Sequence, residues 1–195
     1  SAQTALWLIL DAMTREFAPI LAFTCDEIWQ QMPHRDGDDP RNVLLNLMVK
    51  PYEGYALSAE QMAVWDTAIR VRSDVNGILE LARGDKRIGK RLEAHVTLSA
   101  LDAPAAEALK AVRGMNLAEL FIVSNVSVAD EKSKENAVTG SGTNFPGLVI
   151  EVTEAPGTKC PRCWMHSEQA DAEGLCPRCA DVMKSFANYD LKDFL

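Results

Sequence analysis

Histidine is scarce in this chain: His34, His95 and His166 are the only three in 195 residues, and each lies in a different segment. They leave no plausible Ser/His/Asp set for nucleophilic catalysis, and no HExxH helix is present. Phosphate-cradling patterns are missing as well, since there is neither a P-loop nor a GxGxxG stretch. No active site is therefore expected within the chain. Long apolar runs are also lacking. The stretches 5–10 and 18–23 fall far short of the ~18 residues a membrane span requires, and no signal peptide precedes them. A cytoplasmic location without a membrane partner is the expectation.

Cysteine is limited to five residues, but four of them are arranged as Cys160-Pro161-Arg162-Cys163 and Cys176-Pro177-Arg178-Cys179, with twelve residues between the inner pair. A CxxC turn aims two sulfurs at one point and leaves backbone N–H groups free to donate to them. Two such turns supply the four thiolates of a closed, tetrahedral structural Zn²⁺ site. A redox CxxC needs a single motif at a helix start in an α/β unit, and a disulfide framework needs an oxidising compartment and usually a small secreted chain. Neither condition is met. The expected ligands are Cys160, Cys163, Cys176 and Cys179, with Cys25 left over, buried and reduced.

A tetrathiolate zinc centre carries two negative charges, which Lys159, Arg162 and Arg178 oppose. Arg162 and Trp164 also flank one ligand on a rigid turn, a pairing suited to an unstacked base and its phosphate. Both readings stand on the local sequence. The formal net charge of −8 argues against indiscriminate nucleic-acid binding, but the positive charge is concentrated. Between Arg70 and Arg91 seven basic residues face three acidic ones, a local +4, so the rest of the chain carries −12.

With 47% hydrophobic residues the chain can bury real cores, as one large domain or two to three small ones. Leu6, Ile9, Leu10, Met13 and Phe17 recur at helical spacing over 3–17, with Asp11, Arg15 and Glu16 on other sides. Thr24-Cys25-Asp26-Glu27 reads as a capping box opening a helix over 25–32, and 43–49 reads as an extended strap. Ser58-Ala59-Glu60-Gln61 opens the longest helix, over 59–83, whose seam is Val64, Ala68, Val71, Val75, Ile78 and Ala82. Arg72, Asn76 and Arg83 lie opposite, and this basic ridge continues into the loop 84–91. Beyond it the period predicts a strand over 95–99, a helix over 104–113, one or two strands within 118–128, and a strand over 148–152. The polar segment 130–144 reads as a loop, and 181–195 as a trailing helix or tail.

The chain opens Ser-Ala-Gln-Thr without methionine and enters a helical pattern at once, so it is expected to be a piece of a longer polypeptide. Its ordered stretches, Ser1-Ala2-Gln3-Thr4-Ala5-Leu6, Ala18-Pro19-Ile20-Leu21-Ala22-Phe23-Thr24, Asp26-Glu27-Ile28-Trp29, Val71-Arg72-Ser73-Asp74-Val75-Asn76, Leu92-Glu93-Ala94 and Lys159-Cys160-Pro161-Arg162-Cys163-Trp164, resemble the C-terminal part of bacterial isoleucyl-tRNA synthetases. The resemblance spans essentially the whole chain. Its helical section alone is similar to that of several class I synthetases, and the zinc module narrows the choice.

What the resemblance implies is a mainly α fold: a class I synthetase anticodon-binding helical bundle over 1–91, a small α+β unit over 92–155, and a four-cysteine zinc ribbon with tail over 156–195. The parent would be a monomer that ligates isoleucine to tRNA(Ile) with ATP, in a catalytic domain absent here. This fragment would bind one structural Zn²⁺, the tRNA(Ile) anticodon stem-loop and the remainder of the synthetase chain. Arg70, Arg72, Arg83, Lys86 and Arg87 would contact phosphates, and Arg162 and Trp164 would engage loop bases. Two alternatives stay open: a zinc-stabilised protein-interaction module, and a zinc-finger nucleic-acid-binding fragment of another class I synthetase.

Overall fold

A computed structural model describes residues 2–129 and 137–186. The chain divides into two compact units, Ser1–Ala56 and Leu57–Leu195. Among the described residues helices outweigh strands, and the second unit carries a four-stranded sheet and a two-stranded hairpin.

In the first unit, helix α1 (Ala2–Phe17) and helix α2 (Ala22–Gln31) enclose a small core of Ala18, Cys25, Trp29 and Val43. The helical period of α1 is as expected, but its faces are reversed within this unit. Asp11, Thr14 and Arg15 are buried, while Leu6, Ile9, Leu10, Met13 and Phe17 are exposed. The polar side turns inward because its charges are paired. Arg15 donates to Asp11 at 2.7 Å and to Asp38 at 2.8 Å, Arg35 donates to the second Asp11 oxygen at 2.6 Å, and the Arg15 guanidinium lies 4.7 Å from the Trp29 ring centroid.

Two local expectations in this unit need correction. Helix α2 starts at Ala22, after Leu21, so Thr24 lies inside the first turn and forms no capping box. The strap is not extended throughout. Asn42 caps a single 3-10 turn, Val43–Leu45, of which only Val43 is buried.

Burial by itself would raise the Asp38 carboxyl pKa, but the Arg15 hydrogen bond, the Arg35 backbone N–H and both guanidinium charges hold it below the ordinary range. A carboxylate whose pKa is lower folded than unfolded adds stability above its unfolded pKa and loses it as pH falls through the folded one. The first unit should therefore weaken on acidification below the usual carboxylate range. Acid titration followed by tryptophan fluorescence should show a shallower pH slope in Asp38→Asn than in the parent.

The second unit is built around helix α3 (Ala59–Gly84). Its start matches the sequence: the Ser58 hydroxyl accepts from Gln61 N, and the Gln61 side chain accepts from Ser58 N. Ala68, Val71, Val75, Ile78, Leu79 and Ala82 are buried along it, and Val64, nearer the N-terminus, is half-buried. Strands β1 (Ala94–Ala100), β2 (Asn125–Val128), β3 (Val138–Ser141) and β4 (Leu148–Glu154) form a sheet ordered β2-β1-β4-β3. Strands β1 and β2 run parallel, joined through helices α4 (Ala103–Val112) and α5 (Leu117–Phe121), and the other two pairings are antiparallel. The α3 seam shares one continuous core with Val96, Leu98, Leu109, Phe121, Leu148 and Ile150.

Two further corrections concern this sheet. Residues 117–121 are helical, since Asn116 caps them and Leu117, Leu120 and Phe121 pack at helical spacing. Ile122 then turns left-handed at φ 59° before β2 begins. Within the segment read as a loop, Val138–Ser141 pairs with β4. A side chain at Gly140 would collide with Ile78 of α3, so that strand carries little apolar signal. Residues 130–136 of that loop and 187–195 of the expected tail lie outside the described residues.

Candidate functional site

The four cysteines of the paired motifs sit where a short hairpin meets a helix. Strands β5 (Thr158–Lys159) and β6 (His166–Ser167) pair antiparallel, and the first Cys-Pro-Arg-Cys turn joins them. Cys160 N donates to Met165 O, and Trp164 N to Cys160 O, both at 2.9 Å. The second turn becomes helix α6 (Pro177–Phe186), in which proline at the first position loses no intrahelical hydrogen bond. The sulfurs of Cys160, Cys163, Cys176 and Cys179 all lie within 4.8 Å of one another, and this group can hold a metal ion. His166 is not among them. It pairs with Lys159 across the hairpin, and its N–H donates to Ser124 Oγ at 2.7 Å.

Sulfur acidity follows from the surroundings. Burial alone would raise the Cys160 thiol, but backbone N–H groups of Cys163, Cys176 and Arg162 outweigh it and lower the pKa to about 6. Burial pushes Cys176 up to about 12, aided by hydrogen bonds with its neighbouring sulfurs. Cys179 is lowered, first by the Arg162 guanidinium, whose Nη1 lies 3.6 Å from its sulfur. Four sulfurs this close cannot all ionise without a cation among them. Their ionisation and metal binding are one linked equilibrium.

Trp164 leaves the first turn in the left-handed region at φ 66° and is 60% exposed. A bulky residue rarely adopts that conformation, and such strain gathers at functional positions. Here Trp164 lines a recess of about 150 Å³ with Lys90, Leu92, Glu93 and Lys159.

The expected basic ridge is only partly brought together. Arg83 and Lys86 line one open recess of about 490 Å³ with Glu80, Gly84, Ile88 and Gly89. Arg83 is also bonded to Glu80 at 2.7 Å, Lys86 is left-handed at φ 57°, and Arg87 is exposed beside it. Arg72 is half-buried, its Nε enclosed without a hydrogen-bond partner among the described residues. Arg70 holds a turn instead, with its guanidinium 4.6 Å from the Phe145 ring centroid and a 3.4 Å bond to Asn144 O. A larger recess of about 610 Å³, between α4 and β2, lies apart from both groups of residues.

The residue that sequence reasoning passed over is Glu93. Its Oε2 accepts from Gly89 N and Lys90 N, each at 3.0 Å, and its Oε1 lies 3.6 Å from Lys159 Nζ. The Lys90 N–H, ahead of the opposing effect of burial, is the largest influence on its carboxyl, which is held below the ordinary range. The only local signal was a carboxylate four residues after Gly89 at the end of a basic loop.

A family profile described as the anticodon-binding domain of tRNA ligase matches residues 1–98. The chain is 41% identical over 183 residues to an isoleucine–tRNA ligase of Pasteurella multocida, covering 92% of this chain and 18% of the relative. It is 40% identical over 187 residues to that of Syntrophotalea carbinolica, covering 94% and 19%. Against that of Pectobacterium atrosepticum it is 41% identical over 189 residues, covering 92% and 19%. The chain thus spans about a fifth of the length of the curated relatives it matches.

Proposed function

Because the chain belongs to the anticodon-binding domain family of tRNA ligases, we propose that it is the tRNA-recognition region of an isoleucine–tRNA ligase. Residues 1–91 grip the anticodon stem-loop, 92–155 connect, and 156–195 present a metal module to the loop bases. This is a division of labour, since α3 shares its core with the sheet that follows it. Activation of isoleucine with ATP belongs to parts of such a ligase outside this chain, which contributes recognition and no catalytic group. The parent enzyme acts as a cytoplasmic monomer.

The observation that carries this reading is the exposed, left-handed Trp164 in a recess shared with Lys90 and Lys159. An exposed aromatic beside two lysines suits an unstacked base and its phosphate. Arg83, Lys86 and Arg87 supply backbone contacts that set position without reading sequence. Arg162 spends one N–H on Cys179 and offers the rest of an exposed guanidinium to the same RNA.

The metal is zinc. Bonds of about 2.3 Å at tetrahedral angles place sulfurs about 3.8 Å apart, and Cys163 and Cys176 stand 3.6 Å apart. The second partner is the rest of the ligase chain. The exposed apolar stripe of α1, with Leu6, Ile9, Leu10, Met13 and Phe17, suits burial against further helices.

Nuclease footprinting of an isoleucine tRNA with this chain tests the reading. Protection should fall on the anticodon stem and loop; protection confined to the acceptor arm, or none, overturns it. Trp164→Ala should weaken binding of the anticodon hairpin by about 1–3 kcal/mol. Unchanged affinity in a titration would make Trp164 a packing residue.

A further inference from the structure

The two candidate RNA-binding surfaces of the second unit, the basic loop after α3 and the metal hairpin, are joined by one charged side chain. Glu93 fixes the turn of the loop through the Gly89 and Lys90 N–H groups, and it faces Lys159, the residue immediately before the first metal ligand. Its main-chain oxygen accepts from Ala155 N at 2.7 Å, where the chain leaves β4 for the hairpin. A further tie near this junction is neutral: Ser124 Oγ donates to Leu92 O and accepts from His166 N. Lys90, Glu93, Lys159 and Trp164 then line a single recess.

A carboxylate in that recess opposes a polyanion, so electrostatics alone gives it no place on an RNA-binding surface. Its geometry gives it another task. We propose that Glu93 is a positioning residue for RNA binding, which holds the Gly89–Lys90 turn and Lys159 around Trp164 so that the indole and two ammonium groups meet one nucleotide together. The inference rests on the tRNA-recognition reading above. The RNA phosphate and Glu93 both draw on Lys159, and the carboxylate keeps that ammonium and the backbone turn at Lys90 in place before the RNA arrives. That lowers the ordering cost of binding, as a preorganised site does.

The sign of the effect makes the proposal testable. Glu93→Gln keeps an oxygen that accepts from Gly89 N and Lys90 N but loses the attraction to Lys159, and Glu93→Ala loses both. Each variant also makes the protein more positive, so a purely electrostatic surface would bind RNA more tightly. Positioning predicts the reverse order. The affinity of the full 195-residue chain for an isoleucine-tRNA anticodon hairpin should fall about fivefold in Glu93→Gln and further in Glu93→Ala. Affinity for the same stem closed by a loop of abasic residues should not fall in either variant. Metal content and circular dichroism report folding, and if Glu93→Ala unfolds, Glu93→Gln alone decides. Equal or tighter binding of the native hairpin by a folded Glu93→Gln overturns the proposal. Failure of the parent chain to prefer the native hairpin over the abasic one overturns the tRNA-recognition reading instead.

Discussion

Cys160→Ser should abolish binding of one Zn²⁺ per chain and melt the metal module while the sheet and α3 stay folded. Cys160 is fully buried, and among the described residues the core of the module consists of its cysteines with Leu175 packed against them. So small a core does not stabilise a fold without a metal, and structural zinc sites contribute about 10–16 kcal/mol of binding free energy that is also folding free energy. The larger core, which runs from Val71 to Val152, includes no residue of the module. Metal analysis should give zero zinc, limited proteolysis should cut after Gly157, and helical circular dichroism should drop only by the contribution of α6. Loss of most of the helical signal would show that the two cores are not separable. The same linkage fixes the pH dependence. Protons compete with the metal for sulfur, so zinc affinity should rise with pH and the ion should leave on acidification.

Asp74→Ala should destabilise the second unit by about 3–5 kcal/mol, because it removes a buried carboxylate that serves several donors at once. Asp74 Oδ1 accepts from Thr143 N at 3.0 Å, Asn144 N at 2.9 Å and Asn144 Nδ2 at 2.8 Å, and Oδ2 accepts from Phe145 N at 3.0 Å. Truncation strands three backbone N–H groups next to α3. It also loosens the turn on which Arg70 rests, and that turn joins β3 to β4. Gly142 belongs to the same arrangement, since a side chain there would run into the Asp74 carboxylate and lie 2.6 Å from Phe145 O. Asp74→Asn keeps one acceptor oxygen and should cost roughly half as much. Denaturant unfolding measures both, and a loss under about 1 kcal/mol for Asp74→Ala would mean that water replaces the carboxylate.

These two effects lie at opposite ends of what the sequence allowed one to read. The convergence of the four cysteines was legible, because CxxC spacing is local and two such turns aim their sulfurs at one point. The α3 start was legible for the same reason, its capping box lying within four residues. Asp74 was not legible, since its partners come about 70 residues later in the chain. The faces of α1 failed similarly. Periodicity located an apolar stripe, but which side is buried depends on Asp38 and Arg35, which reach back to Arg15 and Asp11. Strand β3 was hidden because its tight approach to Ile78 calls for glycine rather than an apolar side chain. Helix α5 was missed because a five-residue apolar helix and a buried strand look alike without their neighbours. Within the candidate site, the motif marked the four cysteines that the fold brings together, whereas the contacts of Glu93 with Gly89, Lys90 and Lys159 are visible only in the fold.

The most direct test of tRNA recognition is the affinity of this chain, across a series of salt concentrations, for an isoleucine-tRNA anticodon hairpin and for the same hairpin with its three anticodon bases replaced. Phosphate contacts make both affinities fall as salt rises, and base contacts separate the two curves by a nearly constant factor. The expected result is tighter binding of the native loop at every salt concentration, with similar slopes. Coincident curves would contradict it, leaving a phosphate grip without recognition of the anticodon.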